Sequence, residues 1–298
     1  MYTIKTVTSL TGINTETLRA WERRYGAVEP LRDDKGRRLY TQQDIERLSL
    51  LCAATRQGFS ISKIADLNNQ ELQELLAANQ EPHKAIQDMF FIQVIEALTQ
   101  FRMDDCEELL RRALIAMPPL CYARDVLMPT LNKVGNLWHE GKLSIVQEHM
   151  FSACVKRIVL SMVNNLQPFS GPNPAVMFAT LSGEKHEFGI LLTCLLAASQ
   201  RCLCYYIGPD LPWEELLKAG AQLKPAVIIL SSVNTPPDAN TIQSLKSLAE
   251  SLDKNIRLWI GGLGAKYLHD KFLLPEPWLF IPSMDDFYSQ IQHLISTK

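Results

Sequence analysis

Five short apolar runs, at 175–181, 202–207, 226–231, 256–261 and 277–281, alternate with helical patterns in the C-terminal part of this 298-residue chain. Strands joined by crossover helices form a parallel sheet covered on both faces, so 174–298 is expected to be a doubly wound, flavodoxin-like α/β domain with a five-stranded parallel sheet. In such a sheet every loop that follows a strand emerges on one edge, where these folds bind ligands. The first run leads into Glu184-Lys185-His186-Glu187-Phe188-Gly189, the third into Ser231-Ser232-Val233 and the fourth into Gly261-Gly262, with 41 and then 27 residues between the groups. One imidazole, one small hydroxyl and a glycine pair are thereby expected to converge on one crevice.

The stretch Gln-Pro-Phe-Ser-Gly-Pro-Asn-Pro at 167–174 marks the clearest domain boundary. Ahead of it, 82–167 is helical by pattern. Pro82, Pro118-Pro119, Pro129 and Gly141 divide that stretch into four helices, the last over roughly 143–166, and a four-helix bundle is expected. Residues 1–78 read as short helices around a basic hairpin. Segments 6–11 and 14–25 are joined by Gly12-Ile13, with Asn14 as N-cap; Gly36-Arg37-Arg38-Leu39-Tyr40 makes a turn and short strand. A helix over 42–57 is capped by Thr41, carries Asp44 in its first turn and ends at Gly58.

The net charge of −2 hides an asymmetry: residues 1–70 carry 11 Lys and Arg against 8 Asp and Glu, whereas the rest carries 19 against 24. A mildly basic head on an acidic body suits a nucleic-acid reader, although the excess is small. The N-terminus has no apolar signal core, and the longest near-apolar stretch, 189–198, is too short to span a bilayer. The expected location is cytoplasmic, with no membrane partner. The seven cysteines lack CxxC spacing and read as buried, reduced thiols.

A recognition helix needs cations for phosphates and side chains that reach base edges in the major groove. Over 14–25 the candidates are Arg19, Arg23 and Arg24, with Thr15 and Thr17 near the helix start. Arg37 and Arg38 would grip the backbone alongside, with Tyr40 either packing or touching phosphate. The plainer alternative is a solvated face in which these arginines pair with Glu16, Glu22 and Asp33; Leu18 and Trp21 read as core. Through Thr-Leu-Arg-Ala-Trp-Glu-Arg-Arg-Tyr-Gly and Gly-Arg-Arg-Leu-Tyr, about 70 residues resemble the winged-helix head of MerR-type transcription regulators. Such regulators dimerise through a long helix after the head, and none is evident in this sequence.

In the C-terminal domain, His186 has no Cys or His at ligand spacing, which argues against zinc and for a cofactor that brings its own equatorial ligands and needs one axial donor. Gly189 lets the following helix start close to the sheet, Gly261-Gly262 lets a bulky tail lie along the backbone, and Ser231 can hydrogen-bond that tail. The trio resembles the cobalamin-binding module of methionine synthase and its relatives, Asp-x-His-x-x-Gly, Ser-x-Leu, Gly-Gly. Glu184 stands for the aspartate and Val233 for the leucine. The resemblance makes His186 the lower axial ligand of cobalt, oriented by Glu184.

Trp138-His139 and Glu148-His149 flank Gly141 in a Trp-x9-Glu-His arrangement. Beside a cobalamin module this is similar to the light-sensing MerR-type repressors of carotenoid genes, the CarH and LitR group. The resemblance then covers nearly the whole chain. It implies that Trp138 covers the 5′-deoxyadenosyl group of adenosylcobalamin, that Glu148 binds its ribose and that His149 helps to fix Glu148. His139 is the nearest candidate in sequence to take the upper axial position after illumination. The expected protein is not an enzyme. It is a repressor that assembles, as a tetramer by analogy or else a dimer, and binds operator DNA in the dark. A light-independent regulator sensing cobalamin or another tetrapyrrole is the alternative; a corrinoid methyl carrier is a third class, against which the DNA-binding head argues.

Overall fold

The computed structural model describes residues 1–11, 13–33, 36–56, 58–168 and 173–296, leaving aside the side chains of 9, 56 and 77–87. Gly12 in the helix turn, Gln57 at a helix end and 169–172 of the linker lie outside the described residues. The chain divides into two compact units, Met1–Met89 and Phe90–Lys298.

In the first unit β1 (Tyr2–Thr3) leads into α1 (Ile4–Thr11) and α2 (Thr15–Tyr25). Then β2 (Leu31–Arg32) and β3 (Arg38–Tyr40) form the hairpin, followed by α3 (Gln42–Arg56), α4 (Ile61–Ile64) and α5 (Asn69–Thr99). β3 lies between the other two strands, antiparallel to both. Asn14 caps α2 by accepting from the Thr17 N–H at 2.7 Å, and Gly26 closes it in the left-handed region at φ +57°. Thr41 and Asp44 exchange side-chain and backbone hydrogen bonds at the start of α3. Val7, Leu18, Trp21, Tyr40, Leu48 and Leu51 form the core.

Arg47 holds this unit together in a way its sequence position does not advertise. Its guanidinium donates to the carbonyls of Ala27, Leu67 and Ala65 at 2.7, 2.8 and 2.5 Å, tying α3 to the turn after α2 and to the segment after α4. Arg47→Met strands three carbonyls and removes charge-assisted bonds worth about 1.5–3 kcal/mol each at most. A loss of about 3 kcal/mol is expected in the unfolding of the first unit, read by urea denaturation of the full chain.

The 31-residue α5 departs from the sequence expectation, for it continues through Pro82 where a helix end was expected. Its start is a capping box between Asn68 and Glu71, and the Gln-, Glu- and Ala-rich sequence after it favours helix strongly. The break comes instead at Phe101, which adopts φ +56°. Pro129 does not break a helix either: it sits in the first turn of α8, where a missing N–H is tolerated.

In the second unit, α6 (Met103–Ala116), α7 (Pro119–Cys121), a π-helical turn (Tyr122–Leu127), α8 (Met128–His139) and α9 (Ile145–Leu166) complete a four-helix bundle with the end of α5. Ser144 and Gln147 form a capping box at the start of α9. The sheet follows: β4 (Ala175–Leu181), α10 (Phe188–Ser199), β5 (Leu203–Leu211), α11 (Trp213–Leu223), β6 (Val227–Ser231), α12 (Ala239–Ser251), β7 (Arg257–Gly261), α13 (Leu263–Asp270), β8 (Leu279–Phe280) and α14 (Met284–Ser296). All five strands are parallel, in the order β5-β4-β6-β7-β8, so the strand order reverses between β4 and β6. This is the expected doubly wound sheet, and its switch point lies between the loops that carry His186 and Ser231.

Helices α10 and α14 cover one face and share a core with the bundle, through Leu191, Leu195 and Phe287 with Phe151 and Val155. Helices α11, α12 and α13 cover the other, around Leu216, Leu245 and Leu268. Because α10 is enclosed by the sheet on one side and α9 on the other, nearly all its residues are apolar. That position explains the 189–198 stretch as a buried helix. No helix among the described residues is long and apolar enough to cross a membrane.

Candidate functional site

At the carboxyl edge of the sheet, under the bundle, lies a cavity of about 1180 Å³. It exceeds the roughly 300–1,000 Å³ of ordinary small-molecule sites. Its sheet-side wall includes His186, Gly189, Ser231, Val233, Gly261 and Gly262, so the three sequence groups do converge. Its bundle wall includes His139, Glu148 and His149.

Glu184 lies behind this wall, 5% exposed. One carboxylate oxygen meets the His186 ring Nδ1 at 2.6 Å and the His186 backbone N–H at 3.0 Å; the other accepts from the N–H groups of Val233 at 2.7 Å and Asn234 at 3.1 Å. Burial pushes the carboxyl up, but the donors of Val233, Asn234 and His186 outweigh it, and the net direction is down. An ionised carboxylate accepts, so Nδ1 donates in that bond, and Nε2 is the ring nitrogen that Glu184 does not engage. The longer glutamate therefore reaches the imidazole and braces two loops at once. Glu184→Gln leaves one oxygen for two sets of donors and turns an NH2 toward the rest. Cobalamin affinity is expected to fall by about 10–100-fold, measured by titrating apoprotein with hydroxocobalamin.

The glycine pair has a structural reason as well. Gly262 adopts φ +99°, and a Cβ there would lie 2.3 Å from the Ser232 carbonyl oxygen. Gly264, which sequence reasoning passed over, is equally hemmed in: its Cβ would come within 2.4 Å of the Asn234 carbonyl oxygen. The loops after β6 and β7 are stitched by Ser232 N–H to Gly261 O and Gly264 N–H to Ser232 O, at 3.0 and 2.9 Å. Only Cβ-free positions allow that approach.

On the bundle wall Glu148 is held twice. Ser152 Oγ donates to one carboxylate oxygen at 2.6 Å, and His149 Nδ1 lies 2.9 Å from the other. Ser152 was not foreseen; the signal was its i,i+4 spacing from Glu148. The His139 ring lies against Trp138, centroids 4.5 Å apart and planes tilted by 41°, and has no hydrogen bond among the described residues. Trp138, expected to cover the cofactor, is 38% exposed and lies beside the wall residue His139.

In the head, Arg19, Arg23 and Arg24 are exposed and form no ion pair among the described residues, while Thr15 and Thr17 are half-buried. The wing differs. Arg38 pairs with the largely buried Glu22 at 2.8 Å, and Arg37 with Asp33 at 2.7 Å. Arg37 stays 72% exposed despite its pair. Tyr40 is fully buried and donates to Glu22. Burial, helped by the Glu22 carboxylate, pushes its phenol up. Of the two roles open to Tyr40, the structure shows packing.

These features meet independent likenesses. A family model described as MerR HTH family regulatory protein matches residues 2–71, and one described as B12 binding domain matches 93–160. The HTH-type transcriptional repressor CarH of Myxococcus xanthus is 32% identical over 89% of this chain and 90% of its own length. The repressor CarA of the same organism is 27% identical over 88% and 87%. Among solved structures, the Methanosarcina barkeri monomethylamine corrinoid protein superposes with a TM-score of 0.54 at 15% identity, covering 70% of this chain and 99% of that one, a likeness of fold alone. With a winged head, a bundle matched by the B12 model and a sheet edge built around one braced histidine, the chain belongs to the CarH family of MerR-type, B12-binding transcription regulators.

Proposed function

We propose that this protein is a light-responsive transcriptional repressor that binds adenosylcobalamin, assembles into an oligomer and holds operator DNA in the dark, and releases it in the light. The observation that carries the reading is the two-walled cavity: an imidazole held through Nδ1 by Glu184 on one side, and Glu148, fixed by Ser152 and His149, on the other. His186 would hold cobalt from below, and the cavity floor at Ser231, Gly261 and Gly262 would take the nucleotide tail. Glu148 would accept from ribose hydroxyls, with His149 steadying it. Val233 would act through its N–H on Glu184. When bound, the cofactor supplies a cobalt–carbon bond that visible light breaks.

Two imidazoles share the bundle wall. His149 is occupied by Glu148, whereas the His139 ring has, among the described residues, its contact with Trp138 and no hydrogen bond. His139 is therefore the imidazole that would be offered to cobalt after illumination, and Trp138 would set its orientation. The domains follow as a DNA-binding head over 1–78, a cap over 82–167 and a cobalamin domain over 174–298. Dark assembly would add the binding of several weakly basic heads, gaining avidity that one head lacks.

The test is size-exclusion chromatography and gel shift with adenosylcobalamin, in the dark and after green light. An oligomer bound to DNA only in the dark is expected. Equal assembly and DNA binding in both conditions would reject the photoreceptor and leave the light-independent cobalamin or tetrapyrrole sensor. His139→Ala should change the absorption spectrum of the illuminated protein and not that of the dark one.

A further inference from the structure

Helix α9 carries Glu148, Ser152 and Lys156 at four-residue intervals, one turn below another, and all three stand on the cavity wall. Ser152 donates to Glu148 at the upper end. About 12 Å further along, by the helical rise of eight residues, the Lys156 ammonium sits 2.9 Å from both carboxylate oxygens of Glu187. Glu187 is the residue after His186 and stands at the start of α10, with no side-chain bond to the helix's own N–H groups. Its side chain is only 17% exposed, and it also accepts from the Tyr206 hydroxyl of β5. The Lys156 ammonium lies 6.0 Å from the centre of the Tyr206 ring. One polar stripe thus runs from the carboxylate of the cap to the loop that seats the histidine.

We propose that Lys156 and Glu187 are positioning residues that couple the two walls of the cavity, so that what the cap holds near Glu148 biases how firmly His186 is presented to the metal. The inference rests on the reading of His186 as lower ligand, and adds a route by which upper and lower faces communicate. The geometry suits the task. Glu184 fixes the imidazole to the sheet side, while Glu187, two peptide bonds from the histidine's other neighbour, fixes the same loop to the bundle. A helix that shifts along its axis carries Lys156 with it and drags on Glu187. A largely shielded ion pair resists separation more than an exposed one. A second cross-link, Arg124 to Asp285 at 2.8 Å, joins the bundle to α14 elsewhere on the rim. Neither of its partners belongs to the His186 loop, which makes it the control.

The experiment uses full-length protein labelled with ¹⁵N-histidine and loaded with cob(II)alamin. Electron paramagnetic resonance distinguishes a ¹⁵N doublet from the protein's imidazole from the ¹⁴N triplet of the cofactor's own base. In Glu187→Gln and Lys156→Met the ratio of histidine-bound to base-bound cobalt is expected to fall about tenfold, in the range of ordinary site–site coupling. The double variant should fall no further, since both changes remove one interaction. Arg124→Met should keep the wild-type ratio. The preference for adenosylcobalamin over hydroxocobalamin should shrink by a similar factor in Lys156→Met. In apoprotein, amide exchange over 183–189 should quicken in Glu187→Gln and not in Arg124→Met. Unchanged ratios in the two variants, additive effects in the double variant, or equal loss of affinity for both cobalamins would overturn the proposal. A wild-type protein without the ¹⁵N doublet would instead remove His186 as ligand, and with it the functional reading itself.

Discussion

His186→Ala is expected to leave the protein folded and to weaken cobalamin binding by more than about 100-fold, beyond the 10–100-fold typical of losing a partner that only orients a ligand. The side chain is 62% exposed and enters no core, so its removal opens no cavity. Glu184 keeps three backbone donors, from His186, Val233 and Asn234, and so continues to brace the loops. What disappears is the one imidazole on the sheet-side wall among the described residues. Equilibrium dialysis against hydroxocobalamin, with circular dichroism on the apoprotein, separates loss of the ligand from loss of fold. Any cofactor that remains should show its own base on cobalt. Tight binding with an unchanged spectrum would exclude His186 as the axial ligand.

The second large effect is expected at the head. Replacing Arg19, Arg23 and Arg24 together by alanine should lower operator affinity by about a thousandfold, taking roughly 1–2 kcal/mol per lost arginine contact and tenfold per 1.4 kcal/mol. The salt dependence should flatten by close to one unit of slope for each phosphate contact removed. Because the three side chains are exposed and carry no ion pair among the described residues, thermal stability should hardly change. Arg38→Ala should behave differently. It exposes Glu22 to loss of its ion pair and disturbs the carboxylate that satisfies Tyr40, so stability and DNA binding fall together. Gel shifts across a salt series, beside melting curves, distinguish the two patterns.

These contrasts mark what the sequence carried and what it did not. Strand periodicity and the loop motifs were enough to assemble His186, Ser231 and the glycine pair at one edge, because a parallel sheet leaves no other place for those loops. Side-chain pairing was less legible. Arg37 and Arg38 read either as grips on a phosphate backbone or as partners of Glu16, Glu22 and Asp33, and charge alone did not choose between them. The structure pairs them with Asp33 and Glu22. Lys156 and Glu187 are 31 residues apart and look like unrelated surface charges until the bundle lies on the sheet. The helix boundaries failed for a third reason. A proline's missing N–H is a local penalty, and long flanking stretches of strong helix formers outweighed it at Pro82, while Phe101 ended the helix without any turn residue to announce it.

Glu184 takes two of its donors from the main chain at 233 and 234, and a peptide N–H is the same whatever side chain it bears. The valine that stands where related modules have leucine therefore leaves this bond untouched. Proline is the one residue those two positions would refuse, because it has no N–H to give. Prolines do stand nearby, at 236 and 237, with Thr235 between them and Asn234. Part of what braces the His186 loop is thus spelled in peptide groups rather than in side chains.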